Sequence, residues 1–480
     1  MNLHELLKGI VEKLPLENPN IKGLTDDSRQ VQEGFLFFAI KGEHFDGNNF
    51  AQDAVKKGAV AIITHTYVEA EVPVIVVRDV VKISAYCANL FYPSEHLKKF
   101  AVTGTNGKTS VVSYIQQILE KKGLKVATIG TIGLQRSSKD KPTPLYGDNT
   151  TPNPIVLNKV LHELDKQGFQ AVAMEYSSIG LVQGRTEGLI LDGAGITNFT
   201  QDHLDYHGTM QAYLEAKLLI LKSLKKEAFF VLNEDIEVYQ TIIKALYQCQ
   251  VKQFTFSKKI SSDLTLISQK LTLDGQEVCL RWKDKIYALK LKVYGDFQIE
   301  NMMMALGIIS NLYPDLETII PLIQLLKPPK GRLEKVRTLK NKAQVFIDYA
   351  HTPDALEKAL KSLRKHADGP LVCLFGCGGN RDKTKRPLMG KIAFECADKV
   401  YITDDNPREE DPRAIRNEIA QACPSAVLVD GRAEAIKKAL QELKENSILL
   451  IAGKGHETYQ IIQGVKYHLS DIEEVQNYQE

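Results

Sequence analysis

The chain has 480 residues, of which 44% are hydrophobic and 25% charged, with a formal net charge of +2 at pH 7. That length suggests about three domains, and the composition leaves ample core material with no sign of disorder. The near-neutral balance argues against wholesale nucleic-acid binding, and no apolar run reaches the ~18 residues of a membrane span, so membrane insertion is not expected. Seven scattered cysteines (Cys87, Cys249, Cys279, Cys373, Cys377, Cys396 and Cys423) are odd in number and fit a reducing compartment with free thiols. Cys373 and Cys377 have no second Cys or His pair at zinc spacing and read as strand and loop residues. Met1 to Leu14 mixes acidic and basic residues at helical spacing and is no signal peptide. A cytoplasmic protein is expected.

Residues 1 to 97 read as a small α/β unit. Phe35 to Ile40, Ala59 to Ile63 and Val74 to Val77 have the apolar character of strands, and Ala51 to Lys57 that of a helix between the first two. Two polar loops stand out, Thr25-Asp26-Asp27-Ser28-Arg29 and Lys41-Gly42-Glu43-His44-Phe45-Asp46-Gly47. From the residues alone they read as solvated turns. Pro93 and the charged stretch Glu95 to Lys99 look like a linker.

Residues 98 to 328 open with the stretch that organises the rest, Val102-Thr103-Gly104-Thr105-Asn106-Gly107-Lys108-Thr109-Ser110. An apolar run, Phe100 to Val102, precedes it. A helical pattern and a second strand-like run, Lys125 to Ile129, follow. Strand, glycine turn, helix, strand is the context that makes a short motif a phosphate loop. Gly104 and Gly107 let the backbone approach an anion, Lys108 neutralises outer phosphates, and the Thr109 hydroxyl suits magnesium. Val102 stands where the usual motif has glycine, so the loop is a compact variant.

Beyond it, Gln170 to Met174 reads as a buried strand with Glu175 at its end. A carboxylate there suits a magnesium site, because ligands bind at that edge of a parallel sheet; a solvated Glu is the alternative. Leu189 to Ile196 reads as another strand, leading into Asp202-His203-Leu204-Asp205-Tyr206-His207, where ligand and packing roles stay open. Met210, Tyr213, Leu214, Lys217, Ile220, Leu221 and Leu224 share one helical stripe whose only charged member is Lys217. A buried ammonium must be paired, shifted in pKa or chemically modified, unless it snorkels to water. Lys252 to Val293 alternates as antiparallel hairpins turn about Asp274-Gly275 and Lys283-Asp284. Tyr294 to Asn301 then opens a helix rich in Met and Ala, and Lys327-Pro328-Pro329-Lys330-Gly331 marks a boundary.

Residues 329 to 480 alternate strands (Gln344 to Ile347, Leu371 to Phe375, Lys399 to Ile402, Ala426 to Val429, Ser447 to Ile451) with helical patterns, a second doubly wound α/β domain. Polar residues gather at strand ends: Asp348 to His351, Gly376 to Lys385, Asp404 to Arg408 and Gly453 to Glu457. Arg381 and Arg408 can each grip a carboxylate bidentately, or be plain surface charge.

Together these motifs resemble the Mur ligase family, cytoplasmic ATP-dependent enzymes that form amide bonds in peptidoglycan synthesis. The likeness runs along essentially the whole chain. Gly104-Thr105-Asn106-Gly107-Lys108-Thr109 resembles the ATP loop; Met174 to Ser178, Asp202 to Asp205 and Glu215-Ala216-Lys217 resemble the magnesium motifs. Gly331 to Glu334 and Asp348 to Pro353 resemble the nucleotide-reaching segments of the third domain. The resemblance implies an α/β fold of three domains: a small uridine-nucleotide domain (1–97), a central P-loop domain with a doubly wound sheet (98–328), and a Rossmann-like amino-acid domain (329–480). It implies ATP contacts from Gly104 to Ser110 and at Asn301, Arg332 and Asp348. Catalytic roles fall on Lys108, Glu175, His203 and Lys217. It implies magnesium at Thr109, Glu175, His203 and Lys217, the last as a carbamate formed with CO2.

Contacts to a UDP-N-acetylmuramoyl-dipeptide are implied at Ser28, Glu43, His44, Phe45, Asn149, Thr150, Thr151, Ser177, Gln183 and Arg185. Asp405-Asn406-Pro407-Arg408 resembles the motif of the branch that adds meso-diaminopimelate, with Arg381, Gly453 and Glu457 as the other contacts. The implied substrates are small molecules and the implied state is a monomer. Three residues depart from the family pattern: Tyr176 and Ile179 replace Val and His, and Gln298 stands where Asn is frequent. Alternatives are the same reaction with L-lysine, a folylpolyglutamate-synthetase-like ligase, or a P-loop kinase or ATPase with an attached binding module. The second would lack the uridine domain and the Asp-Asn-Pro-Arg motif.

Overall fold

The computed structural model describes every residue except 43–44, 146–148 and 260. The backbone falls into two compact units, residues 1–265 with 301–319, and residues 266–300 with 320–480.

The first unit holds two sheets. The amino-terminal one has four parallel strands in sequence order, Gly23–Thr25, Phe35–Ala39, Ala59–Thr64 and Val74–Val76. Three of these match the expected strands. Gly23–Thr25 was not expected, because a three-residue strand ending on Thr25-Asp26-Asp27 carries too little alternation to separate it from the polar loop. Asp27 then caps a short 3₁₀ turn at Ser28–Gln30 through a 2.9 Å bond from the Arg29 N–H.

The second sheet of this unit runs, in spatial order, through Lys252–Ser257, Phe229–Asn233, Gly193–Ile196, Lys98–Thr103, Ala171–Glu175 and Val126–Gly130, all parallel, and ends on antiparallel Gly133–Gln135. Val126–Gly130 and Ala171–Glu175 are buried along their whole length and mostly apolar, as strands covered on both faces are, with Thr128 and the terminal Glu175 the polar members. The charged stretch before the phosphate loop is no linker at its end: Lys98 and Lys99 are already in strand, and the buried Lys99 ammonium is held by the Ser94 and Leu97 carbonyls. The strand expected from Leu189 begins only at Gly193.

The stripe carrying Lys217 is likewise shorter than one continuous helix. The α-helix spans Met210–Leu218 and tightens into a 3₁₀ turn at Leu219–Ser223. Leu191 marks where the 3₁₀ turn stops: its N–H donates to the Ser223 carbonyl and its carbonyl accepts from the Lys225 N–H, pairing the chain with a second segment there.

The chain enters the second unit within the strand Leu264–Thr272. An antiparallel hairpin follows, Gly275–Trp282 with Lys285–Leu291, turning at Lys283-Asp284 as expected. The large sheet of this unit orders Glu334–Thr338, Gln344–Asp348, Ile448–Ala452, Leu371–Phe375, Lys399–Ile402 and Val427–Leu428, parallel throughout except for its first strand. Apolar clusters lie on both of its faces, around Leu360, Phe375 and Met389 and around Ile347, Tyr401 and Ile436. This is the doubly wound domain expected from the alternating pattern. All seven cysteines are free.

Candidate active site

Four neighbouring strands of the central sheet end level with one another. Val102 pairs with Glu175, Thr103 with Ile196, and Ile129 with Met174. The segments after these residues therefore emerge along one edge, where a parallel sheet binds ligands.

The phosphate loop leaves the middle strand. Gly104 and Gly107 have φ of 136° and 85°, conformations that side chains resist. A Cβ on Gly104 would lie 1.9 Å from Thr197 Oγ1, and one on Gly107 2.4 Å from Asn301 Oδ1. The neighbouring strand braces the loop: Asn198 accepts from the Asn106 N–H at 2.9 Å, and Thr197 Oγ1 donates to the Asn106 carbonyl at 2.6 Å. The helix Lys108–Lys121 begins at once, so its first-turn N–H groups face the loop opening, with Thr109 and Ser110 in that turn.

Lys108 Nζ folds back on the carbonyls of Gly104 (2.8 Å) and Thr105 (2.9 Å). Lys217 Nζ donates to the same Gly104 carbonyl at 2.9 Å and lies 4.2 Å from the centroid of the Tyr213 ring. Lys217 is 1% exposed. Burial first, and the Lys108 charge second, push its pKa down to about 6. Tyr213 is a common neighbour here. Its hydroxyl sits 3.3 Å from Thr105 Oγ1, and the rings of His203 and His207 lie at 6.2 and 5.1 Å. His203 has φ of 52° and places Nε2 3.6 Å from Asp202. His207 is tied to Ser178 Oγ at 2.9 Å, and burial, then His203 and Lys217, lower its pKa.

Glu175 is buried at the next strand end. Its two carboxylate oxygens accept from the Thr131 N–H and the Thr131 hydroxyl, both at 3.1 Å. Thr131 Oγ1 also lies 3.1 Å from Thr150 Oγ1. Thr151 Oγ1 donates to the Glu175 carbonyl (3.0 Å) and accepts from the Ser177 N–H (2.9 Å). Arg185 donates to the Thr151 carbonyl at 2.8 Å and to Gln183 at 2.9 Å. Thr150, Thr151, Ser177, Gln183 and Arg185 are thus gathered round Glu175, while Asn149 is exposed nearby in sequence. Tyr176, one of the departures, packs into the core, and its buried hydroxyl has no partner among the described residues. Ile179 is half-buried on the short helix Ser178–Val182.

In the amino-terminal sheet, Ser28 opens the 3₁₀ turn and its carbonyl accepts from Lys57 at 3.1 Å. Phe45 is exposed, and Glu43 and His44 lie outside the described residues.

In the second unit, Asp348 closes a strand and accepts from the N–H groups of Leu333 (2.7 Å) and Ala350 (2.8 Å). Burial raises its pKa. Arg332 stacks 4.9 Å from the Tyr349 ring. Gln298 is buried at the start of its helix. Three loops of the large sheet converge. Arg408, at φ 54°, donates its N–H to Ile461 and its guanidinium to the Gly379 carbonyl at 2.8 Å. A Cβ on Gly378 would lie 2.8 Å from Arg408 Nη1 and 3.8 Å from Arg381 Cγ, so both arginines border that glycine. A Cβ on Gly453 would come within 2.9 Å of Asp405 Oδ2. Asn406 donates to Glu457 Oε2 at 3.1 Å. Pro407 completes this loop. From the sequence Thr131 goes unnoticed, Tyr213 reads only as a member of the apolar stripe, and Lys454 reads only as part of the polar strand end Gly453 to Glu457. Thr131 and Lys454 each lie just past a strand end, which marks the place but not the partner.

The chain belongs to the Mur ligase family. Residues 20–101 match the Mur ligase family catalytic domain, 102–309 the Mur ligase middle domain and 331–455 the Mur ligase glutamate ligase domain. It is 42% identical over 462 residues, 95% of each chain, to the UDP-N-acetylmuramoyl-L-alanyl-D-glutamate–2,6-diaminopimelate ligase of Rickettsia bellii. A solved structure of a ligase of that same name superposes with a TM-score of 0.72 at 32% identity, covering 99% of this chain and 98% of the other. Folylpolyglutamate synthase of Mycobacterium tuberculosis, solved with ADP and AMPPCP, shares the fold at a TM-score of 0.62 and 18% identity, covering 77% of this chain and 92% of its own.

Proposed function

We propose that the chain is the ATP-dependent ligase that joins meso-2,6-diaminopimelate to the D-Glu γ-carboxylate of UDP-N-acetylmuramoyl-L-Ala-D-Glu, in the making of peptidoglycan precursors. The observation that carries this reading is the full-length likeness to ligases of that name. The second unit adds a loop cluster in which two arginines border Gly378 and a carboxylate stands at Glu457, groups that suit an amino acid bearing more than one charge.

In this reading the γ-carboxylate oxygen attacks the γ-phosphorus of ATP and ADP leaves, giving an acyl phosphate. The amine nitrogen then attacks the acyl carbon, loses a proton, and inorganic phosphate departs. The protein's part is to position reactants and neutralise charge. Gly104 to Ser110 cradle the phosphates, Lys108 swings from the Gly104 carbonyl onto them, and Asn301, Arg332 and Asp348 hold the rest of the nucleotide. Ser28, Glu43, His44, Phe45, Asn149, Thr150, Thr151, Ser177, Gln183 and Arg185 hold the uridine-dipeptide. Arg381, Asp405, Asn406, Pro407, Arg408, Gly453 and Glu457 hold the amino acid. Segments 1–97, 98–328 and 329–480 divide these tasks as three domains in a cytoplasmic monomer.

Thr109 and Glu175 offer the hard oxygen ligands that suit magnesium beside substrate phosphates, while His203 would add a softer ring nitrogen; among the described residues no three His, Cys, Asp or Glu side chains cluster as a ready-made metal site. Lys217 fits only as a carbamate. As an ammonium it shares one carbonyl with Lys108, like charge beside like; as an anion it would be compensated by that neighbour. Magnesium, when bound, would offset phosphate charge.

Phosphate release with UDP-N-acetylmuramoyl-L-Ala-D-Glu and ATP tests the assignment, with meso-diaminopimelate compared against L-lysine. Turnover is expected with meso-diaminopimelate. Faster turnover with L-lysine would overturn the acceptor.

A further inference from the structure

Lys454 is 0% exposed, and no assigned role accounts for it. It follows the strand Ile448–Ala452, between Gly453 at φ 113° and Gly455 at φ 54°. An ammonium has three donors, and here they meet three acceptors: Glu457 Oε2 at 3.0 Å, Asn406 Oδ1 at 3.4 Å and the Tyr459 carbonyl at 2.5 Å. Asn406 is fixed twice more, accepting from the Ile461 N–H at 2.9 Å and donating to the same Glu457 oxygen. Both polar contacts of the Glu457 carboxylate, from Lys454 and from Asn406, thus fall on Oε2. Its Oε1 has no partner among the described residues, and the side chain keeps 19% of its exposure.

We infer that Lys454 is a positioning residue for the amine acceptor: it pins one oxygen of Glu457, together with Asn406, so that the other oxygen faces the incoming amino acid's ammonium. The inference rests on the proposed acceptor site. A pinned carboxylate loses little side-chain freedom when the ammonium arrives, and its orientation is set beforehand. Lys454 itself does not touch the substrate. Its influence passes through Glu457.

The test is a double-mutant cycle on the full chain, with KM measured separately for meso-diaminopimelate, ATP and the uridine-dipeptide. Lys454→Met is expected to raise the KM for meso-diaminopimelate roughly tenfold to a hundredfold, the scale of one charge-assisted hydrogen bond. The other two KM values should stay within about twofold, well inside that scale. In a Glu457→Gln background, adding Lys454→Met should change the diaminopimelate KM little, since the group it acts through is already disabled. Lys454→Arg, which keeps the charge, should recover part of the loss. If Lys454→Met does not fold, the comparison of Glu457→Gln with Lys454→Arg/Glu457→Gln replaces it, and an additive effect there refutes the inference. Equal rises in all three KM values, or full additivity in the cycle, would also overturn it. If wild type shows no diaminopimelate-dependent phosphate release, the acceptor assignment fails instead, which is a separate result.

Discussion

Lys217 shows how one buried amine can set the chemistry of the phosphate loop. Water is withdrawn from it, a second ammonium lies close by, and its pKa falls to about 6. Near neutral pH the neutral amine is then favoured far more than in an unperturbed lysine, which is almost wholly charged. Only the neutral amine adds to CO2, so this shift is what the proposed carbamate would need. Lys217→Ala is expected to lower turnover by at least about a hundredfold, as loss of a charge-stabilising catalytic group does. Wild-type activity should fall in CO2-depleted buffer and return with bicarbonate. Insensitivity to bicarbonate together with an active Lys217→Ala would remove the carbamate.

The unmodified lysine also makes stability depend on pH. Between about 6 and the ordinary lysine value the unfolded chain binds more protons there than the folded one, so stability rises with pH across that window. In CO2-free chemical unfolding at several pH values, Lys217→Met should lose that rise. Thr131 is a quieter case. Its hydroxyl is one of two donors to Glu175, so Thr131→Val should cut kcat/KM about tenfold and Thr131→Ser should restore most of it.

At the scale of elements, the register of the central sheet turns scattered motifs into one edge. The glycine turn, the apolar strands and Glu175 at a strand end were all legible, because periodicity and turn chemistry are local. The Lys217 helix was legible only to Leu218. The 3₁₀ turn that follows closes against Leu191, a partner roughly thirty residues away that no local pattern announces. Thr131 and Lys454 were hidden for the same reason, since their roles lie in what they touch. Lys217 could be suspected because a charge interrupted an apolar stripe, whereas Lys454 sits among glycines, where a lysine is unremarked.

The phosphate loop's shape gives a sharper expectation. Gly107→Ala would place a Cβ 2.4 Å from Asn301 Oδ1 at a φ of 85°. The strain of a left-handed alanine is about 1–2 kcal/mol before the clash is counted. Gly107→Ala should therefore raise the KM for ATP at least about tenfold, while meso-diaminopimelate binding to the second unit, read by calorimetry, stays unchanged.

For the whole molecule, the division into two compact units matters because the phosphate loop, Glu175, His203 and Lys217 belong to one and the residues proposed to hold the amine to the other. Within the second unit, the fully buried Arg432–Asp471 pair ties the carboxy-terminal helix Asp471–Asn477 to the sheet, and Arg432 also donates to the Ala452 and Asp404 carbonyls. Arg432 therefore braces the two strand ends that carry Asp405 and Gly453. Removing one partner of such a pair costs roughly 3–5 kcal/mol.

The competing reading of the phosphate loop, a kinase or ATPase with a binding module, differs at this scale. Such an enzyme would release phosphate without an amine. In the ligase the acyl phosphate has no productive exit until the amine arrives, so phosphate release should require ATP, uridine-dipeptide and meso-diaminopimelate together. Omitting the amine should lower steady-state release by about two orders of magnitude or more, since hydrolysis would need water to take the place of a positioned nucleophile. A coupled phosphate assay with single omissions decides it. Rapid amine-independent release that also persists without the uridine-dipeptide would convict the chain of plain ATP hydrolysis. Release that needs the dipeptide but not the amine would instead mean that the acyl phosphate forms and is poorly shielded from water.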